Sequence, residues 1–320
     1  MKKGNLYLKE NKLSKFIRIR EVGLRDGLQL SRTRISYETK IKWIKRQCEA
    51  GFREMEVTSF VPPSLLPQFS DAQKVVNEAN KIEDLIPSVL VPNLKGGLNA
   101  LKSHSKKILF VISASEQHNL SNVNCDIKQS LLMFNDLIKE SKNSGLDKKV
   151  KISGAIATSF GCSIQGHVKE KDVLDIADKL IDIGTDEINI ADTVGYANPT
   201  QVSNLFKKLI KLSDKTPFGA HFHDTRGMGL TNVKSALDEG VTLFDASLGG
   251  LGGCPFAPGA SGNIATEDCA YMIEAMGYDT GIDLNKLISL RKSLSKWMTE
   301  DTLLGNLSNS GLAKNFKLNH

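Results

Sequence analysis

The feature that most constrains this chain is an alternation of two periodicities. Short runs rich in β-branched residues alternate with longer stretches of helical spacing, eight times over, with no linker between them. The runs lie at 16–22, 54–59, 86–91, 107–113, 150–157, 187–191, 218–223 and 243–248. Helical spacing occupies about 37–50, 70–81, 94–103, 127–144, 168–184, 199–213 and 228–240. A glycine-rich loop follows the eighth run, and helical spacing resumes near 264–276 and 283–299.

Boundary chemistry agrees with this reading. Ser36 with Thr39 is a weak N-cap signal ahead of the first helix. Asn198 before Pro199 suits a cap followed by a first helical turn. Gly51, Gly145, Gly184 and Gly240 each follow a helical stretch, where a left-handed residue is wanted. Eight strand–helix units in about 260 residues match the size of a (β/α)8 TIM barrel, an α/β fold. A doubly wound sheet is the alternative, but no G-x-G-x-x-G follows an early strand. The expectation is one catalytic domain over 1–320. Its barrel spans about 16–276, and a short helical C-terminal extension spans about 283–320, packed beneath or beside the barrel.

Composition excludes several classes. With 40% hydrophobic and 24% charged residues, there is ample material for a core. No stretch approaches the roughly 18 uninterrupted apolar residues of a membrane span, so no membrane partner is expected. The net charge of +6 comes from scattered lysines beside Asn, Ile and Glu. That reads as solvated surface rather than a nucleic-acid footprint, although a mild positive field can steer an anionic substrate. The five cysteines are odd in number and widely spaced, without C-x-x-C, which points to a reducing, cytoplasmic compartment. The Lys-rich N-terminus has no apolar core and does not read as a secretory or transit peptide.

Chemistry-bearing residues fall at the predicted strand ends. His221 and His223 are i and i+2 on a strand, so both imidazoles face one side, at the barrel face where catalytic residues sit. Paired histidines alone are more often structural than metal-binding. Gly23-Leu24-Arg25-Asp26-Gly27 follows the first strand; alone it reads as an ordinary turn with a salt bridge. In a closed barrel, strands one, seven and eight are neighbours, which brings Asp26 to the histidines with Arg25 beside them. Imidazole and carboxylate ligands suit Mg²⁺ or Mn²⁺, and the Asn263 amide oxygen can complete the set. The loop from Gly249 to Asn263 holds six glycines in fifteen residues, a composition that permits close backbone approach and hinging. Cys254 sits within it as a candidate acid–base thiol. Glu56 and Asp192, near the ends of the second and sixth strands, are further carboxylates for the site.

The segments G-L-R-D-G-L-Q, E-V-T-S-F-V, P-N-L-K-G, the pair Asn124-Cys125, D-T-V-G, H-F-H-D-T and G-L-G-G-C-P-F-A-P-G-A-S-G-N-I-A-T-E-D resemble the 3-hydroxy-3-methylglutaryl-CoA lyase family, over about 16–290. The resemblance implies that Asp26, His221, His223 and Asn263 hold the divalent metal, Mg²⁺ or Mn²⁺. It implies that Arg25 stabilises an enolate, that Cys254 is the catalytic thiol, and that Glu56 and Asp192 are catalytic-site carboxylates supported by Glu267. It further implies an acyl-CoA thioester substrate, a homodimer and a place in leucine catabolism. Two departures stand out. Position 189 is Asn where the best-known members carry Ser, and Ser-Leu-Gly-Gly replaces Ser-Val-Ala-Gly before the loop. Both bear on acyl specificity, so a lyase for another 3-hydroxy-3-methyl acyl-CoA, such as citramalyl-CoA, is the nearest alternative. Claisen-type synthases of the same barrel group carry Gly-x-Gly-Glu-Arg-x-Gly-Asn where this chain reads C-P-F-A-P-G-A-S-G-N. A non-catalytic metal-binding protein would show broken chemistry, and no ligand or thiol is missing.

Overall fold

The computed structural model describes residues 15–253 and 262–318. Cys254, on which the sequence places the acid–base thiol, lies outside the described residues. Eight parallel strands close into a barrel in sequence order. They are β1 (Arg18–Glu21), β2 (Glu54–Ser59), β3 (Ile86–Val91), β4 (Lys107–Ser113), β5 (Lys151–Ala157), β6 (Ile188–Asp192), β7 (Phe218–Phe222) and β8 (Leu243–Ala246). Around them lie α1 (Tyr37–Glu49), α2 (Ala72–Ala79), α3 (Leu94–Lys102), α4 (Glu116–Val123), α5 (Ile127–Asn143), α6 (Glu170–Ile183), α7 (Pro199–Leu209), α8 (Gly229–Asp238) and α9 (Thr266–Ala275). α10 (Leu284–Trp297) and the short α11 (Leu307–Ser310) follow.

The expected caps form. Ser36 accepts from the Thr39 amide, and Asn198 forms a reciprocal capping box with Gln201. Two elements differ from expectation. The Gly23–Gly27 segment is a π-helical turn rather than an ordinary one, because the amides of Arg25, Asp26 and Gly27 converge on the Val22 carbonyl. Such turns concentrate at functional sites. α4 fills a stretch with no clear apolar stripe; it exists because Ser115 caps it through the His118 amide and Asn124 ends it in the left-handed region.

The helices bury apolar stripes on the barrel. Trp43 and Ile44 of α1, Phe134 and Leu137 of α5, and Phe206 and Leu209 of α7 are all fully buried, each worth roughly 1.5–3 kcal/mol. The extension packs beside the barrel. α10 lies against α1 and α9 with Leu284, Leu287, Leu290 and Leu294 buried, and Arg46 of α1 donates to Ser293 at 2.5 Å. Beyond α10 the chain returns to the turn after β1, where the Asp301 carboxylate accepts from Ser31, Arg32 and Thr33.

The barrel floor is ionic. Arg20 donates to Glu54 and Glu187, both at 3.0 Å, and Lys107 donates to the same two carboxylates, both at 2.7 Å. Arg20 also donates from Nε to Asp245 Oδ1 at 2.7 Å. All five side chains are buried, and a buried charge persists only when paired in this way. Among the described residues, no helix is long and apolar enough to cross a membrane.

Candidate metal centre

The closed barrel brings β1 beside β8 and β8 beside β7. The π-helical turn after β1 therefore faces the end of β7, and one ligand atom each from Asp26, His221 and His223 falls within 4.8 Å of the others. The imidazole centroids are 5.1 Å apart. The fourth expected ligand joins them: Asn263 bridges to His223 through the backbone and donates from Nδ2 to Asp26 Oδ2 at 2.6 Å. Gly252 approaches from above with φ +130. A Cβ there would lie 2.4 Å from Asn263 Nδ2 and 3.1 Å from Asp26 Oδ2, so this close approach requires glycine.

The residues present fit a cation. Asn263 Oδ1 and both His223 ring nitrogens are buried without hydrogen-bond partners among the described residues. His223 Nε2 lies 3.5 Å from Asp26 Oδ2, too long for a good hydrogen bond. Buried lone pairs left unused are costly in a folded protein, and an ion would satisfy them. Two imidazoles, a carboxylate and an amide oxygen form a mixed N/O donor set.

Electrostatics favour the charge states such a site needs. Burial opposes ionisation of Asp26, but Arg25 and the two histidines outweigh it and hold its carboxyl well below the usual carboxylate range. Arg25 ion-pairs with Asp26 Oδ1 through Nη1 and with Glu56 Oε2 through Nε. Burial works against its charge, yet Glu56 and Asp26 keep the guanidinium protonated. Glu56 has its other oxygen, Oε1, buried and without a partner among the described residues. Arg25 thus stands as a fixed positive charge between two carboxylates at the barrel mouth.

Asp192 lies at the end of β6 as expected, but both of its oxygens are engaged. Oδ1 accepts from the Tyr196 amide at 2.8 Å and Oδ2 from the Ala197 amide at 3.1 Å, which shapes the turn into α7. Burial pushes its carboxyl up against the pull of those two amides. Glu267 accepts from the Gly249 amide and from Arg291 Nε, both at 3.0 Å, tying the start of the glycine-rich loop to α9 and α10.

Two residues absent from the sequence reading support the cluster. Glu21 accepts from the amides of Gly23 and Leu248 and from the side chains of Gln47 and Thr266, clamping the π-helical turn to the segment after β8. Asp245 accepts from His221 Nδ1 at 3.1 Å. The available signal was a charged residue inside an apolar strand run. Strands of a parallel barrel are covered on both faces, so such a residue requires a partner.

The family described as HMGL-like matches residues 16–294. The chain is 38% identical over 286 residues to the hydroxymethylglutaryl-CoA lyase of Bacillus subtilis, covering 89% of this chain and 93% of that protein. It is 38% identical over 290 residues to the mitochondrial hydroxymethylglutaryl-CoA lyase of Arabidopsis thaliana, covering 89% of this chain and 61% of that longer protein. Among solved structures, it superposes with a TM-score of 0.88 and 37% identity on an HMG-CoA lyase from Acinetobacter baumannii in complex with coenzyme A and 3-methylmalate. That match covers 94% of this chain and 97% of the other.

Proposed function

Because the chain belongs to the HMGL-like family, we propose that its barrel mouth is the active site of a carbon–carbon lyase that splits 3-hydroxy-3-methylglutaryl-CoA into acetyl-CoA and acetoacetate. The observation that carries this reading is the convergence of Asp26, His221 and His223 beside Arg25 in a chain resembling such lyases over most of its length.

Asp26, His221, His223 and Asn263 would hold the metal, Mg²⁺ or Mn²⁺. When bound there, a divalent ion supplies Lewis acidity to the 3-hydroxyl and a neighbouring carbonyl oxygen. The hydroxyl proton passes to a base at the site, either Asp26 or an imidazole. Arg25 and Asn263 both donate to Asp26, which lowers its basicity. The C2–C3 bond then breaks: its electron pair remains on C2 as the acetyl-CoA enolate, and C3 becomes the acetoacetate ketone. The Arg25 charge, held in place by Glu56, offsets the enolate charge as an oxyanion site does. Cys254 returns a proton to C2, directly or through water. Asp192 and Glu267 hold the loops that frame the mouth.

The whole chain works as one catalytic domain, as a homodimer in the cytoplasm, within leucine catabolism. Support for an acyl-CoA substrate comes from the related lyase solved with coenzyme A. The test is a panel of 3-hydroxy acyl-CoAs with purified protein and Mg²⁺, with products identified by mass. HMG-CoA should have the highest kcat/KM. A much higher value for citramalyl-CoA would keep the reaction class and overturn the substrate.

A further inference from the structure

Asp245 connects the floor of the barrel to its mouth. It is fully buried in β8, and its Oδ1 is taken by Arg20 at 2.7 Å. Two groups meet on its Oδ2: His221 Nδ1 at 3.1 Å and Asn189 Nδ2 at 2.5 Å. His221 and Asp245 are direct neighbours across β7 and β8, whereas Asn189 reaches over from β6. Gly219 of β7, paired with Asn189, leaves room for this reach; a Cβ there would lie 2.9 Å from Asn189 Oδ1.

A carboxylate ion-paired to a buried arginine only accepts hydrogen bonds. Whatever touches Oδ2 must therefore donate. Asn189 presents its NH₂, and the neutral His221 ring carries its proton on Nδ1, leaving Nε2 as the lone pair for the Asp26–His223 cluster. Carboxylate partners of this kind fix the tautomer and orientation of ligating histidines. The unusual feature here is the second donor. Asn189 pins the same oxygen that orients His221.

We infer that Asn189 and Asp245 are positioning residues that act together to hold His221 in the Nδ1–H tautomer with Nε2 presented to the metal site. This rests on the reading of His221 as a ligand. It assigns position 189 to the support of the metal centre rather than to recognition of the acyl group. A serine hydroxyl there is shorter by an amide group and would leave Oδ2 with His221 as its single side-chain donor.

The experiment combines ¹⁵N NMR of histidine-labelled metal-free protein with direct Mn²⁺ binding by titration, on wild type, Asn189→Ser, Asn189→Leu and Asp245→Asn. At alkaline pH, where the ring is neutral, wild type should show His221 as the Nδ1–H form. The variants should show a mixed or inverted tautomer and bind Mn²⁺ about 10–100-fold more weakly. The Asn189 variants leave the Arg20–Asp245 pair intact, so they remain informative should Asp245→Asn fail to fold. In Asn189→Ser the ratio of kcat/KM between HMG-CoA and citramalyl-CoA should stay at its wild-type value. An altered ratio with unchanged Mn²⁺ affinity and tautomer would overturn the inference and make residue 189 a specificity determinant. Equal Mn²⁺ binding by wild type and His221→Ala would instead remove the metal-site reading, and this inference with it.

Discussion

Asn263 spends its amide nitrogen on Asp26 Oδ2 at 2.6 Å and leaves its Oδ1 buried without a partner among the described residues. The segment leading into α9 and the turn after β1 thus meet at one carboxylate, with an unused oxygen beside it. Removing that oxygen should weaken the site without dismantling it. Asn263→Ala is expected to lose about tenfold or more in Mn²⁺ affinity, at least the effect of removing a supporting partner of a ligand. Titration of the metal-free protein measures this. Chelation of the wild type should abolish turnover, and Mg²⁺ or Mn²⁺ should restore it.

Arg25 sits between Asp26 and Glu56 and carries the charge assigned to the enolate. Arg25→Gln should lower kcat by about 10²–10³, the cost of deleting one preorganised donor at an oxyanion, with Mn²⁺ binding retained. Arg25→Lys keeps the charge but loses the planar fork and should also be impaired. A rise in KM at unchanged kcat would mean that Arg25 binds substrate without acting on the reacting atoms.

The thiol assignment predicts a selective labelling pattern. Burial pushes the Cys48 thiol up to about 11 and the Cys269 thiol up to about 12. At neutral pH both hold their protons and react slowly. Iodoacetamide should inactivate the wild type, with the label on Cys254 by peptide mapping and substrate or product protecting. Cys254→Ser should lose roughly two or more orders of magnitude in kcat. Full activity in that variant would pass the proton donor role to another group.

The ionic floor should tolerate paired changes better than single ones. Lys107→Met leaves Glu54 and Glu187 with Arg20 as their shared buried cation and should cost about 3–5 kcal/mol. Adding Glu187→Gln should recover part of that loss. Urea unfolding of the wild type, each single variant and the double variant measures the coupling, and strictly additive effects would show that the two residues do not interact.

His118 predicts an acid limb. Burial lowers its pKa from 6.5 to about 4. The unfolded chain therefore binds the proton more tightly than the fold, and stability falls as pH drops from about 6.5 to about 4, by at most about 3 kcal/mol. Above pH 6.5 the contribution is flat. In His118→Gln, the Tm between pH 6.5 and 4 should decline less steeply than in the wild type. Parallel curves would assign the acid limb to other groups.

Much of this site was legible before any coordinates. His221 and His223 share a face because strand side chains alternate, and Asp26 joins them because a closed barrel makes its first and last strands neighbours. The glycine-rich loop makes Asn263 and Cys254 candidates by their place at the barrel mouth, and the resemblance assigns their roles. What stayed hidden depends on contacts across strands. Asp245 is a single acid in Phe-Asp-Ala-Ser, with no motif to mark it, and Arg20, Glu54, Lys107 and Glu187 are isolated charges within strand runs. Their meaning appears only when four separate strand regions deliver them to one buried point. The π-helical turn was equally invisible, since it depends on three amides sharing the Val22 carbonyl.

The charged floor also makes the barrel a cup with one opening. Arg20 is fully buried and Glu54, Lys107 and Glu187 nearly so, so among the described residues these side chains close the floor. Whatever enters at the mouth must leave by the mouth. Cleavage makes two molecules from one, and they depart through the same doorway in sequence. Traffic at that doorway, rather than bond breaking alone, would then help to set the pace of turnover.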